Sequence, residues 1–310
     1  MEIQVGARPI ETKTLAVATR FVQTSMLSII IVNWNTREML RACLLSLRAT
    51  CAGLDHEIIV VDNASNDDSA QMVADEFPEA ILLAQTRNLG FAEGNNWAYA
   101  HATGQFIWLL NPDTEVMDGA PHALLQFLRV KLRAGAVASA LIDARNGQVQ
   151  RSCRTFPTPA ALWAQALGLA RVFPRSKRFG FYKMGWWNYR NERQVEQPMA
   201  SSLMLRRSAI DAAGGLFDER FPIFFNDVDL CWRLQQSQQE IWFLPQAQVR
   251  HWGGAATEQL RGEMIKESHH SLRQFYEKHF RGVFSPFIYW PTIVMMELAG
   301  RARYLWHQKH

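Results

Sequence analysis

Ser28-Ile29-Ile30-Ile31-Val32-Asn33-Trp34-Asn35 is an apolar run that breaks into polar residues, and the same shape returns in Glu57-Ile58-Ile59-Val60-Val61-Asp62-Asn63. Neither run alternates polar with apolar residues, so both faces of each strand must be covered, as in a parallel sheet between helices. Between them Leu40, Leu44 and Leu47 fall on one helical face. Working outward, Ala80–Leu83, Gln105–Leu110 and Val137–Ile142 read as further strands, and Ser69–Glu76, Glu93–Thr103 and Ala120–Arg133 as helices. Strand-helix-strand order predicts right-handed crossovers into a mainly parallel α/β sheet, with ligands bound outside the carboxyl ends of the strands. That places Asn33–Asn35, Asp62–Asp68 and Asn111–Asp113 along one rim.

The stretch 144–198 interrupts the pattern and reads as a loop-rich insertion. Between Ala144 and Asn191 it carries nine Lys or Arg and no Asp or Glu, interleaved with Trp163, Phe179, Phe181, Tyr182, Trp186, Trp187 and Tyr189. A second half follows, with Met199–Leu205 as strand, Ser208–Ala213 as a short helix, Asp227–Gln236 as helix and Ile241–Leu244 as strand. Residues 1–25 read as an N-terminal extension, 26–280 as the α/β domain and 281–310 as an amphipathic, helical, membrane-associating tail, too short and too broken by Pro286 and Pro291 to span a membrane.

The bulk numbers exclude more than they select. A chain of 310 residues with 48% hydrophobic and 20% charged residues can bury a large core. Its net charge of +4 suits phosphate-bearing ligands or an anionic surface. Cys43, Cys51, Cys153 and Cys231 form no CxxC pair, so neither a disulfide framework nor a structural zinc site is expected. No apolar run reaches the roughly 18 to 20 residues of a spanning helix, and the first 25 residues lack the apolar centre of a secretory signal.

Three segments carry chemistry. Asp62, where the second strand ends, can accept hydrogen bonds from a nucleotide base or ribose, or serve only the turn and cap that follow. In Arg87-Asn88-Leu89-Gly90-Phe91-Ala92-Glu93-Gly94-Asn95-Asn96 the glycines permit close backbone approach to a ligand, and the amides would face it. Asn111-Pro112-Asp113 ends an apolar strand in a carboxylate held after proline. A hard divalent ion on a diphosphate needs only one or two protein carboxylates, because phosphate oxygens and water complete its shell. A lone Asp there is equally compatible with a structural role.

These segments together resemble the inverting glycosyltransferases of family 2, with the GT-A fold, and especially its rhamnosyltransferase-like members. The resemblance continues through Gly214-Gly215-Leu216-Phe217-Asp218, Asn226-Asp227-Val228-Asp229-Leu230-Cys231-Trp232-Arg233 and His251-Trp252-Gly253-Gly254, covering roughly residues 27 to 280. It implies a sugar moved from a nucleoside-diphosphate donor (dTDP- or UDP-linked, rhamnose among the candidates) to a lipid-linked or glycan acceptor of the cell surface. Asp62 then resembles the aspartate that binds the donor base, with Asn33, Asn35, Asn88, Gly90, Asn95 and Asn111 around the donor. Asp113 resembles the last carboxylate of the metal motif and His251 a histidine joining that shell, with Mn2+ or Mg2+ as cofactor. Asp227 resembles the catalytic base, and Asn226 and Asp229 border the acceptor. Asn111 and Asn226 depart from the family pattern, which has carboxylates at both places.

Two other classes compete. A binding or scaffold protein that kept the fold and lost catalysis is motivated by those two asparagines. A nucleotidyltransferase would carry a Gly-rich basic loop where Asn33-Trp34-Asn35 stands. No nucleic-acid module surrounds the basic-aromatic stretch, so a lipid surface explains it better than nucleic acid. The tail, with Phe287, Trp290 and Val294 beside Arg301, Arg303, Trp306 and Lys309, is read as lying on an anionic membrane. That places the protein in the cytoplasm, peripheral at the inner face of the cell membrane. The same apolar residues could instead pack on the domain or on a second subunit, which leaves a homodimer open.

Overall fold

The computed structural model describes residues 26–253 and 261–309. The expectations for residues 1–25, for Gly254 and for the side chains of Trp306 and Lys309 lie outside the described residues.

The first half runs β1 (Leu27–Asn33), α1 (Arg37–Thr50), β2 (His56–Asp62), α2 (Ser69–Glu76), β3 (Ile81–Ala84), α3 (Gly90–His101), β4 (Phe106–Leu110), β5 (Thr114–Val116), α4 (Ala120–Val130) and β6 (Ala134–Asp143). The insertion holds β7 (Cys153–Arg154), α5 (Pro159–Ala166), α6 (Leu169–Val172), β8 (Arg193–Gln194) and β9 (Gln197–Pro198). The chain closes with β10 (Ser202–Arg206), α7 (Arg207–Ala212), α8 (Asn226–Gln236), β11 (Glu240–His251), α9 (Arg261–His279) and α10 (Pro286–Lys309).

The main sheet runs β3-β2-β1-β4-β10-β6-β11-β5, with β8 on β11. All seven residues of β1 are buried. Ile29 and Ile31 pack with Leu40, Leu44 and Leu47 of α1, while Ile30 and Val32 join the opposite core of α3, α8, α9 and α10. Each such side chain contributes about 1.5–3 kcal/mol by leaving water, which is why the run could not tolerate a polar alternate. The sheet is mixed: β10 is antiparallel to both β4 and β6. After β6 leaves the sheet at the rim, the insertion brings the chain back to the same rim, so β10 can only run down. β11 carries a register shift between Leu244 and Gln248, around Pro245, before it pairs on to His251. Proline cannot donate to a ladder, and the bulge absorbs it.

The tail is helical, as expected. α10 is one continuous helix that begins at Pro286 and contains Pro291. Pro286 is at home in the first turn, where no N–H partner exists, whereas Pro291 lies inside the helix and cannot donate to the Phe287 carbonyl. Tyr289, Ile293 and Met296 of α10 belong to the main core, and Thr292 accepts a hydrogen bond from the Trp163 indole of α5 at 3.0 Å. The insertion also changes character: Trp187 and Tyr189 are buried, stacked 4.1 Å apart and set edge-on to Phe243. They are core anchors and not surface aromatics.

Candidate active site

The carboxyl ends of the strands open on a cavity of about 370 Å3 that reaches from Trp34 and Asn63 past Asn111 and Asp113 to Asp227 and His251. The cavity follows from topology, since β1, β2, β4 and β11 all end on this rim.

At the β1–β2 end, Asp62 is 3% exposed and does not line the cavity. Its Oδ1 accepts from the Asn33 amide at 2.9 Å and its Oδ2 from the Ser65 N–H at 3.0 Å. The wall is made by Asn63, whose Nδ2 donates to the Gly90 carbonyl at 2.9 Å and whose buried Oδ1 has no partner in the protein. Asn33 and Asn35 frame the turn and do not reach the cavity: Asn35 adopts φ 51° and its Oδ1 accepts from Asn66 N–H at 2.8 Å. Asn88 lines the cavity and caps the Gly90 N–H at 2.8 Å. Gly90 has φ 78°, a conformation that favours glycine, while a Cβ there would make only ordinary contact with the Pro222 carbonyl at 3.4 Å. That carbonyl accepts the otherwise unpaired N–H groups of Phe91 and Ala92, tying the start of α3 to the loop before α8. Asn95 is a correction: it is buried within α3, donates to the Phe91 carbonyl and lies off the cavity.

At the β4–β11 end, His251 is paired in register with Thr114 of β5, which sets it beside Asp113. The His251 Nε2 lies 3.6 Å from Asp113 Oδ1. Gln150 holds the histidine from behind, its Oε1 2.8 Å from Nδ1 and its Nε2 donating to the His251 carbonyl at 3.1 Å. An amide oxygen only accepts, so Nδ1 carries the proton and Nε2 turns its lone pair toward Asp113. Burial lowers the His251 pKa, against the opposing pull of Asp113 and Asp143. Asn111 donates to Ser201 Oγ at 3.2 Å, and its buried Oδ1 has no protein partner. Two amide oxygens with no protein donor, those of Asn63 and Asn111, thus stand on the wall of one cavity, where a ligand can supply the donors.

Asp227, in the first turn of α8, lines the same cavity as Asp113. Burial raises its pKa, opposed by backbone N–H groups of Val228 and Ala200 and by Arg154. Asn226 does not present itself to an acceptor. Its Nδ2 donates to the Phe221 and Ile223 carbonyls at 3.3 and 2.9 Å, and its Oδ1 accepts the Asp227 N–H at 2.8 Å. A glutamate cannot donate to two carbonyls, so asparagine suits this tightly turned loop, where Phe225 sits at φ 66°. Asp229 is also a correction as an acceptor contact: it is fully buried, away from the cavity, and held by Arg233, Lys278 and His279 at 2.5–2.7 Å. Sequence reading missed Gln150, Asn63, Ser201 and Arg154. Asn63 stood one residue from the quoted Asp62, and only the side-chain direction separated them.

A family model described as Glycosyl transferase family 2 matches residues 28–189, which carry both the Asp62 turn and the Asn111–Asp113 motif. The chain belongs to glycosyl transferase family 2. Among family 2 relatives it is 29% identical over 205 residues to the N-acetylglucosaminyl-diphospho-decaprenol L-rhamnosyltransferase of Mycobacterium tuberculosis, covering 63% of this chain and 66% of that protein. It is 27% identical over 255 residues to an O-antigen biosynthesis protein of Myxococcus xanthus, covering 80% of this chain and 19% of that one. Its fold is shared with a mannosyltransferase from Pyrobaculum calidifontis solved with GDP-Man and Mn2+, at TM-score 0.56 and 16% identity, over 91% of this chain and 73% of that one. This is the GT-A arrangement.

Among the described residues no group of three His, Cys, Asp or Glu side chains is spaced to hold a metal alone. The donor set still fits a divalent cation on a diphosphate. Asp113 and a neutral His251 offer two ligands 3.6 Å apart, and phosphate oxygens supply the remainder.

Proposed function

We propose that the protein is an inverting glycosyltransferase that moves a sugar from a dTDP- or UDP-linked donor to a lipid-linked acceptor in cell-surface glycan synthesis. The observation that carries this reading is the single cavity bordered by Asp113 with His251 on one side and Asp227 on the other. A bound Mn2+ or Mg2+ would supply Lewis-acid neutralisation of the leaving diphosphate. Asp113 and His251 would hold it, and Gln150 would keep His251 in the ligating tautomer. Asn63 Oδ1, with its amide nitrogen committed to Gly90, accepts from the N3–H of a uracil or thymine base. Asp227 takes the acceptor hydroxyl proton as the new bond forms on the face opposite the departing diphosphate, so one displacement inverts the anomeric carbon. The scaffold reading loses its motive at Asn226, whose side chain is accounted for by the loop it pins. Rhamnose as the sugar and a polyprenyl diphosphate as the acceptor's lipid are supported by the Mycobacterium relatives.

The reading extends to a peripheral site on the inner membrane face. Phe287, Trp290, Val294 and Leu298 of α10 are exposed, and so are Leu167, Val172 and Phe173 on the neighbouring α5–α6. Arg171, Arg175, Lys177 and Arg178 follow directly. Aromatic and aliphatic side chains beside cations suit the headgroup boundary, and among the described residues no helix is long and apolar enough to cross a membrane.

The test is a panel of dTDP-, UDP- and GDP-sugars incubated with the protein and Mn2+ or Mg2+, reading nucleoside diphosphate released and the anomeric configuration of the product. Release from a dTDP- or UDP-sugar with inversion is expected. No release from any donor with either metal would return the scaffold reading.

A further inference from the structure

A second cavity, of about 350 Å3, lies between α9 and α10 and is lined by Lys266, His269, His270, Arg273, Arg301 and Glu297 among others. Its charge is strongly positive. Glu297 is already paired with Arg273 at 2.9 Å, and Arg273 also meets Glu277 at 3.0 Å, while Lys266 and Arg301 form no ion pair among the described residues. Lys266 sits over the Tyr304 ring at 4.4 Å. The His269 Nε2 is buried and has no partner in the protein. Opposite it stands Gly300, where a Cβ would press to 3.0 Å from the His269 ring. Glycine inside a helix costs about 1 kcal/mol relative to alanine, and here it leaves the imidazole its place in the cavity.

The cavity is joined to the active site by an intermediate cleft. That cleft shares Ile223 and Met264 with the catalytic cavity, shares Lys266 and His270 with the basic one, and adds the carboxylates of Glu263 and Glu267. From Met264 to His270 the helix rises about 9 Å. On the other side Arg301 continues the exposed α10 stripe of Trp290, Val294 and Leu298, spaced three or four residues apart. Going outward from Asp227, the surface therefore presents carboxylates that suit sugar hydroxyls, then cations, then an apolar stripe.

We propose that the α9–α10 cavity binds the diphosphate that joins the acceptor sugar to its lipid, with the sugar in the cleft at Glu263 and Glu267 and the lipid along the exposed stripe of α10. This deepens the glycosyltransferase reading and rests on it for the acceptor's class. The order of chemistries on the protein matches the order sugar, diphosphate, hydrocarbon in a lipid-linked acceptor. A bulk phospholipid headgroup shares the phosphate chemistry but makes no use of the cleft toward Asp227.

The probe is farnesyl diphosphate, titrated into the full chain in EDTA so that the metal-dependent donor site stays out of the measurement. Wild type is compared with Lys266→Gln/Arg301→Gln, both outside the catalytic machinery. The double variant should bind about 25-fold more weakly, a factor of about five for each cation removed, while Mn2+-dependent dTDP or UDP binding is unchanged. In a transfer assay, the KM for a lipid diphosphate acceptor should rise with kcat unchanged. Equal affinity in the two proteins, or no binding by wild type, overturns the proposal. So does a variant that loses only its affinity for phosphatidylglycerol vesicles, which would make the cavity a general headgroup site. Because the titration needs no donor and no turnover, it can succeed where the nucleotide-sugar panel fails, and fail where the panel succeeds.

Discussion

As the proposed base, Asp227 is asked to do two conflicting things: sit half-buried on the cavity wall, partly out of bulk water, and carry a charge. Burial raises its pKa, with only Arg154 and backbone N–H groups opposing, and Tyr182 and Cys231 as uncharged neighbours. The proton acceptor must be ionised, so the acidic limb of kcat should lie above the ordinary aspartate value of about 3.9 and activity should fall as pH drops through it. A raised folded pKa also means that stability from this group is present at low pH and lost as pH rises through the folded value. Asp227→Asn should therefore lose about 10²- to 10⁴-fold in transfer, keep donor affinity, and melt higher than wild type at neutral pH. Turnover within a few-fold of wild type would remove Asp227 as the base. On the opposite wall, Asp113→Ala and His251→Ala should both weaken Mn2+-dependent donor binding. Gln150→Leu should cost about 10- to 100-fold in Mn2+ affinity, and Gln150→Glu, which keeps an acceptor for Nδ1, should restore most of it. Titration of Mn2+ by calorimetry reads all four, and an unchanged affinity in Gln150→Leu would make that residue a bystander.

Among the elements, α10 is two helices in one, sorted by face. Tyr289, Ile293 and Met296 point into the core, and removing the whole element would open a hole there. Phe287, Trp290 and Val294 point out. Replacing Phe287 and Trp290 with serine should cut co-sedimentation with anionic liposomes at low salt while the melting temperature holds within a few degrees. Tyr289→Ala should instead destabilise the fold, as loss of large buried side chains does by about 3–5 kcal/mol. If the outward pair changes melting and leaves liposome binding untouched, the face is covered by something other than lipid. The helical tail was legible in the sequence, and its two prolines bear on spanning and not on helicity: Pro286 starts the helix, and Pro291 inside it removes one backbone donor without ending it. Trp187 and Tyr189 misled: beside so many cations they read as surface, and packing against Phe243 took them inside.

At the scale of the whole molecule, Asp229 is the joint. It is fully buried and binds Arg233 of its own helix together with Lys278 and His279 from the end of α9. Lys278 also reaches Asp218, in the loop that Asn96 clamps through Phe217. The helix carrying Asp227 is thus tied to the helix that lines the α9–α10 cavity. Asp229→Ala would leave Arg233, Lys278 and His279 without their common partner, and breaking a buried ion pair by removing one partner costs about 3–5 kcal/mol. A large fall in melting temperature with donor affinity preserved below that temperature is the expected result. A loss of acceptor use without loss of stability would mean that Asp229 touches substrate after all.

The sequence by itself determined the α/β class, β1 to β4 to within a residue, the family, and which polar turns share one rim, while it started β6 three residues late and missed the short β5. The features it determined follow from local quantities: continuous apolar runs, one leucine face on α1, and strand ends that must lie together in a parallel sheet. Only the tertiary structure decided which side chain at each turn faces the cavity. Asp62 turns back into the β1–β2 junction and Asn63 faces out; Asn226 and Asp229 bind protein and Asp227 does not. Gln150 could not be found from sequence, because it meets His251 only where the strand after a three-residue bulge runs beside the turn that follows β6. Contacts between residues a hundred positions apart are set by register, and register is settled by packing the whole sheet at once.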